Sequence, residues 1–381
     1  DGDPYPAIID GKILWIIDGY TTSAGYPNSR FVNLANTGDA LTSRSNAVAS
    51  LDDKNVNYIR NSVKATVDAY DGTVSLYQWD EKDPVLATWS KAFPGSVQPK
   101  SEISPALLAH IRYPEDMFRV QRDILSAYHV TTADAFYGGQ DFWRVPLDPS
   151  SFGSNSGNQP PYYLTMQIPG QTKPTFSLYT PFVPRGGREN LTALAVVNSD
   201  AGDEYGKITV LQLPRSTNIA GPSQVSSNFE AKPEVATSLS LLRQGGSDVV
   251  LGNLLTLPVG KGLLYVQPVY VRATGNTAAY PLLQKVLVSF GDQIGFSETL
   301  QGALDQVFGG NSGTTVSDNQ SNTPINGGTG SSQAIRSAIA SLQSAYADLE
   351  AAQKRLDGAA EDKARARVKA AINALISAQN R

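Results

Sequence analysis

Four aspartates lie at or near turns in the first part of the chain: Asp10, Asp18, Asp68 and Asp71. If the two hairpins that carry them point the same way, their carboxylates converge. Converged carboxylates hold Ca²⁺ or work as an acid and base pair. The plainer account is turn chemistry alone, because Asp-Gly is what a tight turn selects. A second concentration of polar groups runs from His110 to Arg119, HIRYPEDMFR. Here Arg112 and Arg119 can clamp an anion, with Tyr113 beside them and Glu115 or Asp116 orienting the guanidinium groups. Pro-Glu-Asp is equally a capped helix start with its acids on the favourable end of the dipole. The second histidine, His129, lies near a helix end, and two histidines this far apart do not make a metal site. The chain has no cysteine, so thiol nucleophiles, disulfides and zinc-thiolate sites are excluded. It has no G-x-S-x-G, no P-loop and no dinucleotide fingerprint. No structural metal and no cofactor are expected.

These residues must be positioned by the run from Tyr5 to Tyr26, YPAIIDGKILWIIDGYTTSAGY. Ala7–Ile9 and Ile13–Ile17 read as strands joined at Asp10-Gly11, a strong short hairpin signal. Asp18-Gly19 reads as the end of the second strand, releasing a polar loop. Val63, Ala65, Val67 and Ala69 alternate with Lys64, Thr66 and Asp68 at strand period. Asp71-Gly72 turns that strand back into Thr73–Trp79, and the two hairpins can share one antiparallel sheet. Tyr77 and Trp79 on a sheet face can stack on a sugar, though core packing is their commoner role.

The polar passage from Val32 to Asn57 reads as a long loop with a short helix near Leu41–Val48. Asp83-Pro84 and Ser104-Pro105 each read as an N-cap followed by proline at the first helical position, starting helices to Phe93 and Ile111. Pro114 opens a longer helix with Phe118, Ile124, Leu125 and Tyr128 as its apolar stripe. Thr132 caps a further turn. After a flexible Ser150–Pro161 loop, strands are predicted at Tyr162–Ile168, Thr175–Tyr179, Leu191–Asn198, Lys207–Leu213, Asp248–Leu257, Gly262–Arg272 and, last, Val286–Phe290. Helices are predicted at Pro233–Arg243 and from a Ser297 cap to Phe308. The fold class is therefore α+β, mainly antiparallel sheets with packed helices. Residues 1–308 form the main domain, with a subdomain break near 150–161. Residues 309–332 collapse to Gly, Ser, Asn and Thr and read as a flexible linker. Residues 333–379 read as a helical tail, a hairpin with Ile335, Ile339, Leu342 and Leu349 on one stripe, suited to self-association.

The 381 residues suffice for one large domain or two, and 41% hydrophobic content supplies a core. A net charge of −4 argues against nucleic acid as a partner. No run approaches the ~20 apolar residues of a membrane helix. The first residue is aspartate, and the chain reads as a piece of something longer.

Several stretches together resemble the uncharacterised protein family 0182, large bacterial membrane proteins. They are PYPAIIDGKILWIIDGYTTSAGYP, YIRNSVKATVDAYDGTVSLYQWDEKDP, HIRYPEDMFRVQ with YHVTTADAFY, NLTALAVVNSD with YGKITVLQLP, and GSDVVLGNLLTLPVGKGLLYVQPVYV. The resemblance implies several membrane helices followed by a large extracytoplasmic domain, of which this chain would be the C-terminal part. It implies the family's own N-terminal membrane region as a partner and the cell membrane as location. It brings no activity and no site residues. Three functions compete: non-enzymatic binding or assembly at the envelope, a hydrolase or transferase using the carboxylates, and a ligand-gating domain of a transporter. Paired acids in a cleft favour the enzyme; a flat surface with exposed apolar area favours assembly.

Overall fold

The computed structural model describes residues 1–34, 55–151, 157–214, 216, 218–243, 246–274 and 280–310, with 344, 348 and 363–370 of the tail. The chain divides into two compact units, Asp1–Thr314 and Thr315–Arg381. In the second unit residues 363–370 are helical and Arg367 pairs with Asp348. The predicted helix near Leu41–Val48, the linker beyond Gly310 and most of the tail lie outside the described residues.

In the first unit, strands β1 (Tyr5–Ile9) and β2 (Lys12–Ser23) form the first hairpin. Two short strands, β3 (Val32–Asn33) and β4 (Asn55–Val56), pair with each other. The second hairpin is β5 (Tyr58–Asp68) and β6 (Val74–Gln78). The hairpins join in one antiparallel sheet, ordered β1-β2-β5-β6. Asp10 and Gly11 take φ of 50° and 79°, the paired positive values of a two-residue hairpin turn. Asp18-Gly19 does not end β2, contrary to the sequence reading. Gly19 serves close approach instead: a Cβ there would lie 3.1 Å from the Val63 Cβ of β5. The register slips between Gly19 and Tyr20, and the strand continues.

The alternation of β5 gives two faces, and the buried one is polar. Ser62, Lys64 and Thr66 are buried, while Val63, Ala65 and Val67 are only half-buried. Such a face folds inward only if every polar group on it finds a partner.

Helices α1 (Pro84–Ala92), α2 (Pro105–Leu108), α3 (Glu115–Tyr128) and α4 (Ala133–Tyr137) follow. Asp83 caps α1 by accepting from the Val85 and Leu86 amides, and Ser104 caps α2 at Leu107. Helix α2 stops at Leu108 rather than Ile111. Helix α3 buries Met117, Phe118, Val120 and Ala127 together with Asp116, Arg119 and Arg122, and leaves Tyr128 at 51% exposure. The predicted stripe is thus rotated, because charges that find partners can share a buried face. Arg122, for example, donates to the Gln159 carbonyl at 2.9 Å and to Thr180 Oγ1 at 3.2 Å.

The second sheet holds β7 (Trp143–Arg144), β8 (Tyr162–Met166), β9 (Thr175–Pro184), β10 (Ala193–Asn198) and β11 (Ile208–Gln212) in the order β11-β10-β9-β7, with β8 also on β9. A core cluster joins Tyr113, Met117 and Phe118 to Leu178, Phe182 and Val197, so apolar packing is continuous across the Ser150–Pro161 segment. Helices α5 (Pro222–Ala231) and α6 (Pro233–Leu242) share one apolar core with this sheet and a third one. That sheet comprises β12 (Ser247–Leu251), β13 (Leu255–Val259), β14 (Gly262–Ala273), β15 (Leu282–Phe290) and β16 (Gln293–Ser297), backed by α7 (Leu300–Phe308). Helix α5 and strand β16 are absent from the sequence reading, and α7 is capped by Thr299, not Ser297.

Candidate functional site

The β2–β5 register sets Asp18 opposite Lys64. Their charged ends meet in an ion pair whose side chains keep 4% and 1% of their exposure. Lys64 Nζ also donates to the Tyr205 hydroxyl at 2.9 Å and to the Arg112 carbonyl at 3.2 Å. The three protons of the ammonium therefore meet three acceptors. Asn61 Nδ2 donates to Asp18 Oδ1 at 2.9 Å. The ring of Trp79 lies 5.2 Å from Nζ and packs edge-on to Tyr205. Burial lowers the Lys64 pKa, and the Asp18 charge opposes that shift. A closed network of this kind orders the sheet against Ile111–Tyr113 and Tyr205. All three ammonium protons are taken up within it, and Asn61 Oδ1 is its one buried oxygen without a partner among the described residues. Trp79 is core, not a sugar platform.

Arg112 holds its guanidinium 4.0 Å from the Tyr5 ring and 4.7 Å from the Tyr163 ring, and its amide donates to Tyr5 Oη at 3.1 Å. Tyr113 is buried and donates to Gln121 Oε1 at 2.9 Å. Arg119 pairs with Glu115 one turn earlier, Nε to Oε1 at 3.0 Å. The two arginines are thus held by different partners. Arg119 instead lines a cleft of about 780 Å³ with Arg30, Arg122, Arg144 and Arg185, where Asp123 is the sole acid among the lining residues.

Asp116, on the first turn of α3, is wholly buried. Its Oδ2 accepts from the Gly2 amide at 3.5 Å, and its Oδ1 has no partner. The carboxylates of Asp1 and Asp3 come within 4.8 Å of it. Burial first, then the charge of Asp3, push the Asp116 carboxyl up to about 6. Asp1, Asp3, Lys64 and Tyr205 are not among the candidate site residues of the sequence reading. Asp-Gly-Asp was the available signal for the first two, since residues two apart on an extended chain share a side.

The other turn acids stay apart. The two hairpin turns do lie at the same end of the sheet, linked by Lys12 Nζ and Asp68 Oδ2 at 3.4 Å. However, Asp68 Oδ1 accepts from the Tyr70 amide and Asp71 Oδ1 from the Thr73 amide. Asp10 sits exposed in its own turn. Each serves local turn geometry. His129 is likewise engaged, with its ring nitrogens 2.8 and 3.0 Å from the Leu125 and Asp141 carbonyl oxygens.

The outward face of the first sheet is apolar. Pro6 pairs with Trp15, Trp15 with Val67 and Val67 with Val74, one row crossing all four strands. Ile8 and Ile13 pair beside it. Ile8 is 70% exposed, Val74 60% and Trp15 41%.

Residues 1–242 match the model of an uncharacterised protein family, UPF0182. A UPF0182 protein of Leifsonia xyli is 47% identical over 427 aligned positions, covering all of this chain and 43% of its own length. One from Thermobifida fusca is 57% identical, with 81% of this chain and 30% of that protein aligned. One from Bifidobacterium longum is 52% identical, with 84% and 31% aligned. The chain spans less than half the length of these relatives. No solved structure matches it.

Proposed function

The chain belongs to the uncharacterised protein family UPF0182, and from that membership we propose that it is an assembly domain in the extracytoplasmic part of a longer bacterial envelope protein. Its work is binding, not catalysis. The occupant of its apolar sheet face is the remaining polypeptide of the same protein. The row Pro6–Trp15–Val67–Val74 carries this reading. A four-stranded sheet that turns its charged residues inward and its apolar row outward presents the surface that a partner covers. The relatives supply a source for that partner, since more than half of their length lies outside the region this chain matches. No helix among the described residues is long and apolar enough to cross a membrane, so the membrane-spanning part of the proposal falls to the same remaining polypeptide. The turn carboxylates offer no support to the hydrolase or transferase alternative, because Asp68 and Asp71 each accept from an amide of their own turn.

Co-expression tests the reading. The wild-type chain should co-purify with the remainder of its gene product, and Trp15→Glu with Ile13→Glu should abolish this while leaving the isolated chain's melting midpoint unchanged. Undiminished co-purification of the double variant would refute it. Location is testable separately. The chain has no cysteine, and Tyr137 is 95% exposed. Tyr137→Cys should react with a membrane-impermeant maleimide in intact cells; protection until lysis would place the domain inside.

A second reading, anion binding, is favoured by the arginine-lined cleft. Five arginines line it, and although Arg119 and Arg144 are paired with Glu115 and Glu189, such a lining suits a phosphate or carboxylate group. Arg30→Ala with Arg185→Ala should remove any stabilisation by inorganic phosphate in a thermal melt.

A further inference from the structure

We propose that Asp1, Asp3 and Asp116 form a Ca²⁺ site. Three carboxylates offer oxygens within 4.8 Å of one another. Among the described residues none of the three forms an ion pair with a lysine or arginine side chain. Asp116 is wholly buried, and its Oδ1 lies there without a hydrogen-bond partner. A buried carboxylate oxygen left unpaired is costly, and two further carboxylates beside it raise the cost. A cation at their centre removes both penalties together.

The donor set selects the ion. It is all oxygen, with neither imidazole nor thiolate, which suits a hard cation. With Ca²⁺–oxygen distances of about 2.4 Å, ligands on opposite sides of one ion stand about 4.8 Å apart, so the oxygens already lie within reach. Mg²⁺ demands a tighter octahedron. The surrounding bonds hold the ligands. Tyr20 Oη donates to Asp1 Oδ2 at 2.6 Å, the Asp3 amide to Asp1 Oδ1 at 3.0 Å, and the Gly2 amide to Asp116 Oδ2. Asp1 and Asp3 reach solvent, which provides an entry path and room for waters to complete the shell. The ion would pin the segment leading into β1 to the first turn of α3, a structural role independent of the docking face.

The test is titration of the EDTA-treated chain with CaCl2 by calorimetry, beside melts in EDTA and in Ca²⁺. One Ca²⁺ should bind per chain, with a Kd between roughly 10⁻⁶ and 10⁻³ M. Asp116→Asn and Asp3→Asn should each weaken it at least about tenfold. In EDTA, Asp116→Asn should melt no lower than wild type, since it removes a buried charge; in Ca²⁺ wild type should melt higher. If Asp116→Asn fails to fold, Asp3→Asn, on a solvent-reaching carboxylate, decides alone. No binding heat up to about 10 mM CaCl2, undiminished binding by Asp3→Asn, or equal affinity for MgCl2 would overturn the assignment.

Discussion

Lys64 and Asp18 face each other across adjacent strands with their charges in contact and both side chains shut away from water. A buried ion pair contributes little net stability over an apolar pair, because desolvating both ions costs about as much as their attraction returns. Losing one partner is different, since the survivor remains buried and uncompensated. Lys64→Met and Asp18→Leu should therefore each destabilise by about 3–5 kcal/mol, with the double variant far closer to wild type than their sum. Urea denaturation of all four proteins measures this. Additive single effects would mean that the two charges are not coupled.

Asp83 does more than cap α1. Its carboxylate accepts from Thr21 Oγ1, Ser62 Oγ and Tyr58 Oη, each at 2.6 Å, and from the Val85 and Leu86 amides at 3.0 and 3.1 Å. A cap alone is worth about 1 kcal/mol. Removing this one also strands three hydroxyls on or beside the buried face, so Asp83→Ala should cost about 3 kcal/mol. Asn, which keeps an acceptor oxygen, should cost less. A loss of only ~1 kcal/mol by Asp83→Ala would mean that the hydroxyls re-pair with water.

The same carboxylate sets a pH dependence. Burial pushes it up, but the bonds from Ser62, Thr21, Tyr58 and Val85 outweigh that and hold it at about 2, below its ordinary 3.8. A depressed folded-state value stabilises the fold above the ordinary value and is lost as pH falls towards the folded one. Wild-type stability should therefore drop between about pH 4 and pH 2 more steeply than that of Asp83→Asn. Parallel slopes would remove Asp83 from the account of acid unfolding.

The hairpins, the shared antiparallel sheet and the Asp83 and Ser104 caps were legible because each rests on residues close in sequence. The orientation of β5 was not. Alternation marks two faces but does not say which is buried, and hydropathy alone would choose Val63, Ala65 and Val67. The buried choice depends on Asp18, Tyr205 and the Arg112 carbonyl, which arrive from distant parts of the chain. Asp116 meets Asp1 and Asp3 for the same kind of reason, across more than a hundred residues. Helix α5 was missed because its sequence, PSQVSSNFEA, is mostly polar, and Val225 and Phe229 are the large apolar residues it buries.

The turn glycines separate backbone strain from packing. Gly11 and Gly72 have φ of 79° and 74°, and a Cβ at either position would meet nothing within 4 Å. Any loss on substitution must then come from the left-handed backbone, not from a clash. A β-branched residue there should cost about 1–2 kcal/mol, whereas asparagine, which visits this region more readily, should cost well under half as much. Gly11→Val and Gly72→Val should therefore lower the melting midpoint, and Gly11→Asn and Gly72→Asn should recover most of it. If valine and asparagine prove equally tolerated, the turns relax to a negative φ, and the hairpin register must be held by the strands rather than by Asp10-Gly11 and Asp71-Gly72.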